Sequence, residues 1–154
     1  MMVLNLLSGI LAMAQTKLDN LYKNSTILDH CRFPRNSSPI SKIDFSGNAI
    51  NPFCGDEVHF DLSLNDHLCI EEIRFEGEGC AITLASGSMI SDYIKGMSIE
   101  EVSVFTEKFR LDMQTNSRKS FHNESDIFVL YDVMAFPVRI KCVLLACSAL
   151  ENLH

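Results

Sequence analysis

The stretch EVHFDLSLNDHLCIEEIRFEGEGCAITLASGSM, residues 57–89, changes its hydrophobic period once, and that change decides the fold. Val58, Phe60, Leu62 and Leu64 alternate with polar neighbours, the period of a strand with one buried face. Asn65-Asp66 supplies turn chemistry, and Leu68 to Phe75 resumes the extended pattern with a phase slip at Glu71-Glu72. The segment therefore predicts a hairpin carrying a bulge. Past Gly77 and Gly79 the period turns helical, with Ile82, Ala85, Met89 and Tyr93 on one face until Gly96 stops it.

Working toward the C-terminus, Ser98 and Glu101 form a capping box ahead of a stripe of Ile99, Val102, Phe105 and Phe109. Residues 112–125 are polar and read as loop, Asp126 to Val133 as a short helix, and Pro137 opens a last helix through about Leu150. Toward the N-terminus, Leu18, Leu21, Tyr22, Ser25 and Leu28 predict one amphipathic helix from Thr16 to about His30, ended by Pro34. Residues 31–55 are rich in Pro, Ser, Asn and Gly and read as loop and turn with a short strand at 41–45. A helix, then strands, then several helices means an α+β domain: a small antiparallel β-sheet with helices packed on one face.

Residues 1–12 are apolar but carry no Lys or Arg ahead of the apolar run, and they are too short to span a bilayer. They read as a leader or disordered segment, with Met13 as the start and 13–154 as a single domain. The 13 Lys+Arg against 20 Asp+Glu give a net charge of -7, which repels phosphate backbones and anionic lipid surfaces. Neither a nucleic-acid partner nor a membrane partner is expected. Six cysteines, at 31, 54, 69, 80, 142 and 147, lack the spacing of a secreted disulfide framework and point to a reducing, cytoplasmic setting. With no GxGxxG, Walker A or Ser/His/Asp order, nucleotide and hydrolase chemistry have no support.

Three segments place cysteines where thiolates form easily. Cys54 lies in the turn NPFCGD (51–56), with Asp56 two residues on, so both side chains can point at one centre. Cys80 follows Gly79 at a helix start, where free amides and the positive dipole end lower a thiol pKa. Cys142 neighbours Arg139 and Lys141, whose charge acts in the same direction. Three thiolates and one carboxylate suit tetrahedral zinc, with a formal charge of +2 minus 4, or -2, that Arg139 and Lys141 partly offset. On spacing alone, 54, 80 and 142 fit a metal site and buried structural cysteines equally well.

The segments LYKNSTILDHCRFPRN (21–36), NPFCGDEV (51–58), GEGCAITLASGSM (77–89) and FPVRIKCVLLACSAL (136–150) resemble, in order, the U-type iron-sulfur cluster assembly proteins: SufU, IscU and the N-terminal part of NifU. Scaffold-type IscU proteins carry His directly before the third cysteine, preceded by a Leu-Pro-Pro-Val-Lys segment. This chain has Lys141 and Ala135-Phe136-Pro137-Val138-Arg139 there. It also separates Cys80 from Cys142 by more residues, with the added length between about 110 and 130. These departures resemble the SufU branch.

That resemblance implies zinc held by Cys54, Asp56, Cys80 and Cys142, with Cys54 accepting persulfide sulfur from a PLP-dependent, SufS-like cysteine desulfurase. The sulfur would pass to a SufBCD-like cluster assembly complex, a zinc-dependent sulfurtransferase role. One zinc ligand must leave, because a thiolate locked in a closed site is a weakened nucleophile. The alternative is a scaffold that assembles and transfers a [2Fe-2S] cluster, with iron on the same ligands.

Other features read as structural. Cys147 shares a stripe with Ile140, Val143, Leu144 and Leu150 and belongs to the core, and Cys31 and Cys69 carry no assigned role. His30 packs or caps, and His59 faces outward from its strand. Ala85-Ser86-Gly87-Ser88 allows close helix packing, and Met89, Met97, Met113 and Met134 fill the core. The remaining histidines, 67, 122 and 154, are scattered.

Overall fold

The computed structural model describes residues 2–121 and 125–154. The elements run α1 (Met2–Tyr22), α2 (Ser25–Arg32), β1 (Phe45–Ile50), β2 (Glu57–Leu64), β3 (Ile70–Glu78), α3 (Ala81–Ile94), α4 (Ile99–Thr115), a 3-10 segment (Asp126–Ala135) and α5 (Pro137–Glu151). The strands pair antiparallel in the order β1-β2-β3. This is the α+β architecture expected, with helices on one sheet face.

Strand alternation sets the two faces. Phe60 lies opposite Phe75 and Leu62 opposite Ile73, and all four side chains are buried toward the helices. Ser63 pairs with Glu72 and Leu64 with Ile70, so Glu71 is the extra residue of a bulge, at the phase slip visible in the sequence. On the opposite face Asp61 is buried all the same. It accepts from Ser46 Oγ at 2.6 Å and Arg74 Nη1 at 3.2 Å and lies 2.8 Å from His59 Nε2. His59 thus belongs to a polar network rather than a freely solvated face, and the buried Arg74 Nε within it has no partner among the described residues.

Close approach relies on small residues. A Cβ on Gly47 would lie 2.2 Å from the Ala149 carbonyl oxygen of α5, and one on Gly87 of α3 would lie 2.1 Å from the Phe75 ring. The Ser86-Gly87-Ser88 run is therefore a packing device, as its helical setting implied. Both sheet edges are covered. Phe75 N–H donates to the Asn36 carbonyl at 2.6 Å beside β3, while Ser46 and His154 exchange backbone hydrogen bonds of 3.1 and 3.0 Å beside β1.

Three local expectations change. The helix expected from Thr16 to His30 is two helices, because the Asn24 side chain accepts from the amides of Thr26 and Ile27 and starts a new one. The reset phase buries Ile27 and leaves Ser25 exposed. The short strand expected at 41–45 is β1, displaced to Phe45–Ile50. Residues 2–12 are helical, and their side chains are exposed. The Ser98–Glu101 capping box is present, and Val102, Phe105 and Phe109 are buried as the stripe required. The loop expected over 112–125 begins only after Thr115, and its residues 122–124, including His122, lie outside the described residues. No helix among the described residues is long and apolar enough to cross a membrane.

Candidate metal centre

The turn between β1 and β2 closes on itself. Asn51 N–H donates to the Asp56 carbonyl and Gly55 N–H to the Asn51 carbonyl, both at 2.8 Å, and the Asn51 side chain accepts from Phe53 N–H at 3.0 Å. Gly55, at φ +76°, supplies the left-handed step between Cys54 and Asp56. The step puts the two side chains in different environments: Cys54 is exposed at the tip, while Asp56 turns inward and is buried.

Asp56 meets the start of α3. Its Oδ2 accepts from the Thr83 hydroxyl at 2.6 Å and the Cys80 amide at 3.3 Å. Burial pushes the Asp56 pKa up, but hydrogen bonds led by those from Thr83 and the Cys80 amide, with the Cys54 thiol adding to them, outweigh it, so the carboxyl sits below its ordinary range. Gly79 permits the approach, since a Cβ there would stand 2.4 Å from Asp56 Cγ.

Cys80 is the N-cap of α3 and Cys142 lies buried on α5. One ligand atom each from Asp56, Cys80 and Cys142 lies within 4.8 Å of the others. In a tetrahedral site with metal–sulfur bonds of about 2.3 Å, ligand atoms sit just under about 4 Å apart, so small side-chain movements close this set on an ion. Two sulfurs and a carboxylate are suitable donors for a divalent transition metal.

The two thiols ionise unequally. The hydrogen bond from Cys142 lowers the Cys80 pKa most, against burial, and the amides of Thr83 and Ile82 add to it. Of the pair, Cys80 is the one whose ionisation the surroundings favour. Cys142 is pushed up, first by that same bond and then by burial, even though Arg139 pulls the other way. The expectation that its basic neighbours would ease its ionisation thus holds for Arg139 but is outweighed by Cys80.

Arg139 lies 5.9 Å from the Tyr22 ring and interacts with both sulfurs. Lys141 points elsewhere, with Nζ 5.2 Å from the centroid of Phe53, which is 88% exposed beside Cys54. Of the four proposed ligands the structure brings three together and leaves Cys54 at the rim. Thr83, Gly79 and Tyr22 were not singled out from the sequence as site residues. Thr83 carried one signal, its place three residues after Cys80 in the first turn of a helix.

The remaining cysteines stand apart. Cys147 is fully buried, and burial pushes its thiol up to about 12, which makes it an inert core residue. Cys31 and Cys69 are half-buried. His30 is buried with Nδ1 2.7 Å from Ser88 Oγ and Nε2 3.1 Å from Asp126, so it ties α2 to α3 and the 3-10 segment. That is the packing role assigned to it.

Comparison with known proteins gives the family. The chain is 37% identical over 138 residues to the zinc-dependent sulfurtransferase SufU of Bacillus subtilis, covering 88% of this chain and 90% of that protein. It is 32% identical over 140 residues to the iron-sulfur cluster assembly scaffold protein IscU of Streptococcus pyogenes, covering 91% and 86%. Among solved structures it matches a candidate cluster assembly scaffold protein for the SUF system from Fervidobacterium islandicum, at a TM-score of 0.70 and 28% identity, covering 83% of this chain and 93% of that one. An N-terminal NifU-like protein from Brucella abortus shares the fold at a TM-score of 0.73 and 20% identity, covering 86% and 91%. With residues 22–143 matching the family as well, the chain belongs to the NifU-like N terminal domain family.

Proposed function

We propose that this protein serves iron-sulfur cluster assembly as a zinc-dependent sulfur acceptor, taking persulfide sulfur on Cys54 from a PLP-dependent cysteine desulfurase. The observation that supports this most directly is the split between Cys54, exposed on a Pro/Gly turn, and the Asp56, Cys80 and Cys142 cluster beside it. A fourth ligand of this kind can leave without dismantling the other three. Zinc bound by Cys54, Asp56, Cys80 and Cys142 would hold the sulfurs deprotonated and shield them from oxidation. Arg139, which interacts with both sulfurs, would partly offset the formal charge of -2.

The Cys54 thiolate would attack the outer sulfur of the donor's persulfide. The sulfur–sulfur bond in the donor breaks, a new one forms on Cys54, and the donor cysteine departs as a thiolate. Charge balances and no external oxidant or reductant is needed. The exposed Phe53, with Lys141 over its ring, lies beside the residue that the donor must reach. A SufS-like donor, a SufBCD-like acceptor and a cytoplasmic setting complete this reading.

The test is persulfide mapping by mass spectrometry after incubation with a SufS-like desulfurase and cysteine. Cys54→Ala should carry no persulfide at this site and should not stimulate turnover, and normal transfer by this variant would end the proposal. The second reading, a [2Fe-2S] scaffold, is favoured by the scaffold-named relatives. Protein purified without oxygen separates the two, because a stable, transferable visible chromophore supports the scaffold and colourless protein with one equivalent of zinc supports sulfur transfer.

A further inference from the structure

The Thr83 hydroxyl is fully buried and makes an unusual choice of partner. A helical threonine hydroxyl commonly turns back to a carbonyl three or four residues earlier. That of Thr83 crosses instead to a residue 27 positions away, donating to Asp56 Oδ2 at 2.6 Å. Its oxygen also lies 3.5 Å from Cys80 Sγ, but a hydroxyl has a single proton, and the shorter contact claims it. The Cys80 amide lands on the same Oδ2, and beyond the thiol of Cys54, itself a proposed zinc ligand, no further hydroxyl, amide or cation among the described residues donates to Oδ1.

We propose that Thr83 is the positioning residue of the metal centre, holding Asp56 by Oδ2 so that Oδ1 is the oxygen free for the metal. The inference rests on the reading of Asp56, Cys80 and Cys142 as zinc ligands. Two features support it. The hydroxyl reaches the carboxylate from the helix turn that also carries Cys80, so one rigid element sets both donors. Gly79 leaves the space into which the carboxylate is drawn. Outer-shell partners of metal-bound carboxylates act in this way, fixing orientation without touching the ion.

The experiment compares zinc affinity, by competition with a chromogenic chelator, in the wild type, Thr83→Val, Thr83→Ser, Asp56→Asn and the Thr83→Val/Asp56→Asn double variant. Val keeps the shape and removes the proton, so Thr83→Val should bind zinc about 10–100-fold more weakly, while Thr83→Ser should bind close to the wild type. In the Asp56→Asn background, adding Thr83→Val should have little further effect, because the hydroxyl acts through that carboxylate. The Co2+-substituted spectrum gives a second readout: the ligand-field bands of Thr83→Val should move, and those of Thr83→Ser should match the wild type. Thermal melts of the metal-free proteins separate folding from binding, and if Thr83→Val does not fold, Thr83→Ala against Thr83→Ser makes the same comparison. Tight zinc binding in the wild type that Thr83→Val leaves unchanged overturns the positioning role alone, as does an equal loss in both backgrounds. Failure of the wild type itself to bind zinc overturns the site reading and this inference with it.

Discussion

Asp61 shows how much one buried carboxylate can depend on its neighbours. Burial pushes its pKa up, but Ser46, His59 and Arg74 together hold it below the ordinary value. A folded pKa under the unfolded one gives stability that is present above the unfolded carboxylate value, about 3.9, and is lost as pH falls through the folded value. Urea midpoints should therefore drop between pH 7 and pH 3, and Asp61→Asn should flatten that dependence while lowering stability at pH 7. At the metal centre, Gly79→Ala forces Asp56 away from the Cys80 turn and should weaken metal binding about tenfold or more, checked by chelator competition. The candidate cluster was legible through the resemblance of NPFCGDEV (51–58) and GEGCAITLASGSM (77–89) to the family, because spacing alone fits a metal site and structural cysteines equally well. What Thr83 and Tyr22 do was not, because both depend on contacts across elements that no local pattern encodes.

Between elements, the Asn24 cap separates α1 from α2, and Asn24→Ala should cost about 1 kcal/mol in urea unfolding. Gly87→Ala would press a methyl into the Phe75 ring and should cost about 1–3 kcal/mol by the same measurement. The hairpin, α3 and α4 were readable from period and capping alone, since Val58 to Leu64 alternate and Ser98–Glu101 marks a start. The cap was missed because Ser25 and Leu28 happen to extend the spacing of the preceding helix. β1 was misplaced because Phe45, Gly47 and Ala49 present too little apolar surface to register as a buried strand face. Gly47 is there to admit α5, a requirement set by a helix a hundred residues away.

Across the whole molecule, residues 2–12 are exposed throughout, including Leu4, Leu6, Ile10 and Leu11. A chain starting at Met13 should melt within about 1 °C of the full chain and be more soluble, as scanning calorimetry and light scattering would show. The candidate donors come from the β1–β2 turn, α3 and α5, so a chelator should lower the melting temperature by uncoupling three elements at once. The contact between Ser46 and His154 reaches further than its two hydrogen bonds. By sitting alongside the outermost strand, His154 denies neighbouring molecules a template on which to grow, so breaking its pairing with Ser46 by a His154→Pro substitution should leave activity at Cys54 intact while encouraging filaments or clumps on storage.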